Sequence, residues 1–247
     1  MTDGMKEIHD YAKATLGKVP EVVDLLGRIN ENLAKEQFRE NKALYLGRKN
    51  VERKLLPLIA LAVSAANGQK DSVNLHFSLA KKFGAEPLEI LDALKVAKMV
   101  LMSSTVSSLK ASLPIIEESA RGNRKSEEVE RIISRIKERT NVEGLPENII
   151  ALSNLSFDLF SEHLKEKSEL MTPFLLDVKF VYLVAYAVSV SINSLECTLT
   201  YLKQFFKAGG TVAEIEDALA ISRFITGNKV FITSAETLKR LAVKNVE

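Results

Sequence analysis

Apolar residues recur at three- and four-residue spacing along nearly the whole chain, and no segment shows the sustained alternation of a half-buried strand. This spacing predicts an all-α protein. The two longest apolar runs, residues 55–66 and 180–192, are shorter than the ~20 residues that a membrane-spanning helix needs. They predict two buried core helices.

The chain matches itself when it is shifted by 125 residues. The matches fall in the two apolar runs and again further along the chain. The matched pairs are Lys54 and Lys179, Leu58 and Leu183, Ala60 and Ala185, residues 62–64 and 187–189, Lys82 and Lys207, Gly84 and Gly209, Glu89 and Glu214, Ile90 and Ile215, Asp92 and Asp217, Ala93 and Ala218, and Leu94 and Leu219. Such a repeat predicts two diverged copies of one helical module, related by a pseudo-two-fold axis. We place the first module at residues 1–120 and the second at 145–247.

Each copy has the same predicted order of elements. A helix follows Pro20 or Pro146, where the register of the repeat changes by one residue. A charged connector, the buried helix, a second helix and a long final helix come after it. The second helix ends at Gly84 or Gly209, where we expect a left-handed backbone. Acidic residues then open the final helix, and we expect them to cap it and compensate its dipole. These acids are Glu86, Glu89, Glu214 and Glu216.

Residues 121–144 join the two copies and mix both signs of charge with an apolar stripe. The stripe consists of Val129, Ile132, Ile133 and Ile136. Opposite charges stand one helical turn apart at Glu127 and Arg131 and at Arg135 and Glu138, as on a solvated helix face. We therefore predict a charged helix that covers the junction of the modules.

Composition and charge narrow the classes of function. A chain of 247 residues that is 46% hydrophobic can bury a substantial core. A formal net charge of +2 provides no field that would favour nucleic acid or an anionic membrane as a partner. The single cysteine excludes an intrachain disulfide and an all-thiolate metal site, and the acidic and polar residues 1–10 do not have the pattern expected of a leader. We predict a cytoplasmic protein without a metal or cofactor.

Candidate functional residues lie at the start of the helix after each buried run, at three positions with the spacing i, i+3 and i+7. The first copy has Gln69, Ser72 and His76 there, and the second has Ser194, Cys197 and Tyr201. Together with the repeated helices, these positions resemble the AhpD-like and carboxymuconolactone decarboxylase family. Members carry Cys-x-x-Cys-x-x-x-His at these positions and a Glu upstream. Pro57 and Tyr182 stand at the position of that Glu, so neither copy has the complete motif.

The resemblance implies two tandem AhpD-like modules and a first hypothesis for function. Cys197 stands where redox members have the cysteine that attacks peroxide. With one thiol, a peroxide-reducing cycle would pass through a sulfenic acid resolved by an external thiol donor. Tyr201, one turn on, is the candidate for handling protons. The alternative is that Cys197 is a small, inert hydrophobe among Leu195, Leu199 and Leu202.

His76 supports a second enzymatic hypothesis. It could act as a general base beside Ser72 and Asp71 in a non-redox decarboxylase or lactone-type enzyme, which would need a cationic pocket. The alternative is a hydrogen-bonded structural histidine. Since one copy keeps the His and the other keeps the Cys, a composite site of His76 and Cys197 across the pseudo-two-fold is a further hypothesis.

A third interpretation is a catalytically silent module that binds a ligand or stabilises an assembly, because both copies have lost part of the motif. The resemblance also implies self-association. Single-module relatives assemble as trimers of dimers, so a two-module chain is expected to form a trimer. Apolar stripes that one chain cannot bury would drive this association.

Overall fold

The computed structural model describes residues 1–107, 109, 111, 112, 114, 115, 127, 131, 132, 134, 135 and 146–244. These residues form helices and no strand, which confirms the predicted all-α fold. The elements are α1 (Asp3–Leu16), α2 (Glu21–Ile29), α3 (Glu31–Glu40), a π-helical segment (Asn41–Leu46), α4 (Leu55–Ala66), α5 (Lys70–Lys82), α6 (Pro87–Thr105), α7 (Glu147–Leu155), α8 (Phe157–Met171), α9 (Val178–Ser191), α10 (Leu195–Lys207), α11 (Val212–Thr233) and α12 (Ala235–Lys244).

None of the described helices combines the length and the apolar character needed to cross a membrane.

The helices repeat in the order that the sequence predicts. Helices α2, α4, α5 and α6 of the first module correspond to α7, α9, α10 and α11 of the second. Helices α5 and α10 begin at residues 70 and 195, and α6 and α11 begin at 87 and 212, so the shift of 125 residues is kept. Pro20 and Pro146 stand at the N-caps of α2 and α7 as expected.

The prediction of a charged connector between the first helix and the buried helix of each copy is wrong, because this segment is largely helical. In the first module it forms α3 and the π-helical segment, and in the second it forms α8. The Asn30 side chain accepts hydrogen bonds from the backbone of Asn32 and Leu33, and the Ser156 hydroxyl accepts one from Leu159. These caps start helices whose apolar faces are buried, and burial outweighs the high charge of the segment.

The two modules share one apolar core. Helices α4 and α9 are buried and lie at its centre, with α6 and α11 packed against them. Leu58 and Leu183, which match in the repeat, are both fully buried there. The predicted module boundaries at residues 120 and 145 lie outside the described residues. They stay predictions.

Glycine ends the second helix of each module in the left-handed conformation, as predicted. The φ angle is +87° at Gly84 and +83° at Gly209. A second pair of equivalent residues with positive φ lies just before α5 and α10. The φ angle is +69° at Gly68 and +57° at Asn193. The repeat therefore extends to backbone positions whose side chains differ.

Capping boxes open α6 and α11, which confirms the capping role of Glu89 and Glu214. Each of these carboxylates also forms an ion pair with a lysine, and the two lysines match each other in the repeat. Lys54 Nζ lies 2.8 Å from Glu89 Oε1, and Lys179 Nζ lies 2.8 Å from Glu214 Oε1. Glu216 differs, because it pairs with Arg48 at 2.6 Å. The same ion pair in both modules thus explains why this lysine and this glutamate match in the repeat.

The structure describes residues 127, 131, 132, 134 and 135 of the connector, and all five are helical. Arg131 and Glu127 form the predicted i,i+4 ion pair at 3.7 Å on the surface. Ile132 packs against the apolar cluster of Ile149, Leu152 and Phe160. Glu138, the predicted partner of Arg135, and the other residues of the stripe lie outside the described residues.

Candidate functional site

Each degenerate motif lies beside a pocket. The larger is a cavity of about 500 Å³ at His76, called here the His76 cavity. The smaller, of about 30 Å³, lies at Cys197 and is called the Cys197 pocket. No residue lines both.

The His76 cavity lies between the modules. Its wall comes from α1, α2, α3, the π-helical segment and α5 of the first module and from α11 and α12 of the second. Most of the side chains that line it are apolar or aromatic. Six of these are Ile8, Leu16, Phe38, Tyr45, Phe224 and Phe231. Polar side chains line the rest, and such a mainly apolar wall with some polar groups is typical of small-molecule sites.

His76 is buried in the floor of this cavity and is held by Tyr45. Tyr45 Oη lies 2.9 Å from His76 Nδ1, and the two rings meet edge to face with centroids 5.3 Å apart. On its other side Tyr45 stacks on Phe224 of the second module at 6.0 Å. Both modules therefore fix the orientation of the His76 ring.

The π-helical segment places Tyr45 in this position. π-helical turns are rare and occur frequently at functional sites. Here the segment carries Asn41 and Tyr45, both of which line the cavity. Sequence analysis missed Tyr45, because its equivalent in the repeat is Leu170 and neither is a motif position. No pattern in the sequence indicates a π-helical turn.

The other motif positions of the first copy have different environments. Gln69, at the first cysteine position, is buried, and its Nε2 donates to the Ile225 carbonyl of α11 at 3.2 Å. It ties the start of α5 to the second module. Ser72 and Asp71 line the His76 cavity together with His76, as the hypothesis of a site there requires.

The electrostatics of the His76 cavity favour uncharged groups. Burial lowers the pKa of His76 to about 3, so the imidazole is neutral at physiological pH. Burial also raises the pKa of Tyr45 well above its ordinary value, so the phenol keeps its proton. The charged side chains in the lining are Lys18, Glu21 and Asp71, which do not form a cationic centre. The cationic pocket expected for a carboxylated substrate is absent from this lining.

Cys197 is a buried free thiol, but its surroundings differ from the sequence interpretation. Leu195 and Leu199 are 70% and 49% exposed, so they point away from the thiol. Polar side chains line the pocket instead, including His163 and Lys167 of α8 and Tyr201 of α10. Sequence analysis missed His163 and Lys167, because they reach the pocket only through the packing of α8 against α6, which α10 also contacts.

The Cys197 pocket does not activate its thiol. Burial raises the pKa of Cys197, and the charge of Glu196 adds to this, whereas the Ser194 hydroxyl and Lys167 lower it without reversing the shift. Burial also lowers the pKa of Lys167. Tyr201 is buried, its phenol pKa is raised by that burial, and it interacts with Ser103. A protonated thiol is a weak nucleophile.

The structure does not bring His76 and Cys197 together. His76 faces a cavity closed by α11, whereas Cys197 faces a pocket closed by α8. The composite-site hypothesis is therefore wrong. Among the described residues, no three His, Cys, Asp or Glu side chains are grouped to hold a metal ion.

Comparisons with known proteins agree with this architecture. Residues 34–111, which include the motif of the first copy, match the carboxymuconolactone decarboxylase family model. The whole chain is similar to the crystal structure of a candidate γ-carboxymuconolactone decarboxylase subunit from Burkholderia xenovorans LB400. The TM-score is 0.84, and the match covers 100% of this chain and 99% of the other at 19% identity, which shows a shared fold. No curated protein matches the chain significantly. The resemblance to the carboxymuconolactone decarboxylase family is confirmed by the family model over residues 34–111, and over its whole length the chain shares the fold of the matched crystal structure.

Proposed function

We propose that this protein binds a small, largely apolar organic molecule in the His76 cavity. The observation that carries the proposal is the cavity itself, of about 500 Å³, with an apolar wall and one buried neutral imidazole. Cavities of this size and character are typical small-molecule sites. Contributions from both modules support a role for the fused chain as a whole.

Thiol-dependent peroxide reduction has less support. The pKa of Cys197 is raised by burial, whereas a reactive thiol needs a lowered pKa. A pocket of about 30 Å³ has room for one or two water molecules and not for an organic hydroperoxide. We expect wild type and Cys197→Ser to consume peroxide at equal, negligible rates with a dithiol donor. A large difference between them would restore the enzymatic hypothesis.

A decarboxylase or lactone-type reaction at His76 also has less support. A carboxylated substrate needs a compensating cation, and Lys18, the one cation of the lining, is exposed. His76 keeps the general-base position, but a pKa of about 3 makes it a weak base at neutral pH.

A fluorescence titration with N-phenyl-1-naphthylamine, an uncharged apolar probe, tests the binding proposal. We expect saturable binding to wild type and a loss of affinity of at least tenfold in Val19→Trp, because the added indole fills the cavity that Val19 lines. The matched control is Val212→Trp, since Val212 is 73% exposed and outside the cavity. Equal binding to both variants, or none to wild type, would contradict the proposal.

We also propose that the chain self-associates, as the family resemblance implies. Helix α10 supports this, because Leu195, Leu199 and Phe206 share one face and are 70%, 49% and 42% exposed. Sedimentation equilibrium should give a mass above that of one chain for wild type and a lower mass for Leu199→Glu. A monomeric wild type at micromolar concentration would contradict self-association.

A further inference from the structure

The His76 cavity presents one ring nitrogen of a buried histidine to its occupant. Nδ1 is engaged by Tyr45 at 2.9 Å, so Nε2 is the nitrogen that remains for a ligand. Among the described residues, Nε2 has no hydrogen-bond partner, and it is not among the fully buried unpaired side-chain atoms, so it faces the open space of the cavity. A ligand whose acceptor atom binds Nε2 gains one hydrogen bond in a mainly apolar site.

The contact with Tyr45 determines what Nε2 can do. Tyr45 Oη and His76 Nδ1 share one hydrogen, and the phenol has no other acceptor in the described part of the chain. We assign this hydrogen to the phenol, because burial keeps the pKa of Tyr45 raised and a phenol proton pointed elsewhere would lack an acceptor. Nδ1 then accepts, and the ring hydrogen of the neutral imidazole resides on Nε2. In this tautomer Nε2 is a donor and requires an acceptor atom.

The charges around the cavity determine which acceptor fits. The imidazole stays neutral, since burial holds the pKa of His76 at about 3. The charged side chains of the lining, Lys18, Glu21 and Asp71, are all exposed, and Glu21 pairs with Lys239 at 3.2 Å, so no buried cation among the described residues lines the cavity to balance a carboxylate on the ligand. An uncharged acceptor such as a carbonyl oxygen avoids the desolvation of an anion.

We infer that the ligand is an uncharged, mainly apolar molecule whose carbonyl oxygen accepts a hydrogen bond from His76 Nε2–H, with Tyr45 as the residue that positions this donor. The inference rests on the proposed binding function and narrows it to ketones, esters, lactones and similar carbonyl compounds. It also assigns a role to the π-helical segment, which holds Tyr45 against His76.

Three naphthalene probes of similar shape test the inference by calorimetric titration. 2-Acetonaphthone offers a carbonyl oxygen, 2-isopropenylnaphthalene replaces it with a methylene group, and 2-naphthoate adds a negative charge. We expect the ketone to bind about tenfold more tightly than the alkene, as one buried hydrogen bond provides. We expect the naphthoate to bind more weakly than either.

Two variants test whether the preference for the ketone over the alkene depends on His76 and Tyr45. His76→Phe keeps an aromatic ring and removes the donor, so the ketone and the alkene should bind equally. Tyr45→Phe keeps the His76 imidazole but no longer fixes its tautomer. The ratio of ketone to alkene affinity should therefore fall, while alkene affinity stays within about twofold of wild type. Nitrogen-15 spectra of His76 should show hydrogen on Nε2 in wild type and a tautomer mixture in Tyr45→Phe. Tyr201→Phe, a buried tyrosine at the other pocket, is the matched control and should leave the ratio unchanged.

The outcomes separate the two proposals. If none of the probes binds wild type, the proposed function fails. If the ketone and the alkene bind wild type equally, or the naphthoate binds best, the cavity binds ligands but the carbonyl inference fails. Because the probe series is measured on wild type, this result does not depend on whether a variant folds. An unchanged ratio in folded Tyr45→Phe would remove Tyr45 from the positioning role.

Discussion

Asp92 and Asp217 occupy equivalent positions of the two repeats, and each binds the backbone of the opposite module. Asp92 accepts hydrogen bonds from the N–H groups of residues 174–176 at 2.9–3.0 Å. Asp217 accepts them from Asn50 and Val51 at 2.7 and 3.2 Å. Both carboxylates are fully buried. Two equivalent sets of hydrogen bonds therefore join the modules. One links α6 to the segment before α9, and the other links α11 to the segment before α4.

Replacing Asp92 with Ala should lower the free energy of unfolding by about 3 kcal/mol, because several buried N–H groups would lose a charged acceptor. Urea denaturation at pH 7 measures this. The control is Asp10→Ala on the exposed face of α1, for which we expect a change within about 0.5 kcal/mol. Equal effects of the two substitutions would show that these hydrogen bonds do not stabilise the fold.

The contribution of Asp92 should also depend on pH. Burial raises the pKa of this carboxyl, but the hydrogen bonds from Leu176, Leu175 and Phe174 and the charge of Lys95 outweigh it, so the pKa lies below its usual value. A lowered folded-state pKa stabilises the protein above the unfolded-state value of about 4, and the benefit disappears as pH falls through the folded-state value. Wild type should lose more stability than Asp92→Asn between pH 5 and pH 2. Parallel losses would contradict the prediction.

His76 should destabilise the protein as the solution becomes acidic. Its pKa is about 3 when folded and ~6.5 when unfolded, so between these values the unfolded chain binds a proton that the folded chain does not. We expect a stability loss of roughly 1 kcal/mol per pH unit in this window. His76→Gln, whose amide oxygen can accept from Tyr45, should remove this part of the slope.

Urea titrations at pH 7, 6, 5 and 4 measure the slope. His9→Gln is the matched control, since His9 lies on α1 near Asp24 and outside the buried pair. If His76→Gln keeps the full wild-type slope, the imidazole is not held neutral by burial.

Cys197 should react slowly with Ellman's reagent and only at high pH. Burial raises the pKa of the thiol, so the midpoint of its pH–rate profile should lie above that of glutathione. Lys167→Met should move the midpoint further up, because the charge of Lys167 lowers the pKa of Cys197. Lys165→Met, on the exposed face of the same helix, is the control. A wild-type midpoint at or below that of glutathione would instead indicate an activated thiol.

Replacing glycine with alanine should have opposite effects at Gly68 and at Gly227. Gly68→Ala should cost about 1 kcal/mol, because φ is +69°, although no atom lies within 4 Å of the new methyl group. Gly68→Asn should cost less, since Asn193 adopts this conformation at the equivalent position. Gly227→Ala, within α11 and equally unobstructed, should stabilise by about 0.5–1 kcal/mol. Thermal unfolding of the three variants measures these effects, and a loss with Gly227→Ala would contradict the prediction.

Much of the fold could be predicted, because it depends on local patterns. The apolar run 55–66 is helix α4, and Gly84 and Gly209 end helices as expected. The charged connector was misjudged, since charge is a weak signal where a capped helix buries one face. The candidate site was harder to predict. His76 was found from its motif position, whereas Tyr45 required a π-helical turn that leaves no sequence signal.

By itself the sequence determined the duplicated helical scaffold, since apolar spacing, glycine stops and capping acids act within a few residues of themselves. It also determined that one histidine and one cysteine survive at the motif positions. Only the tertiary structure decided their chemistry. Packing buried His76 against Tyr45 and Phe224 in a cavity between the modules, and placed Cys197 beside Lys167 in a small pocket. Protonation and access depend on neighbours distant in sequence, and these are fixed only when the helices pack.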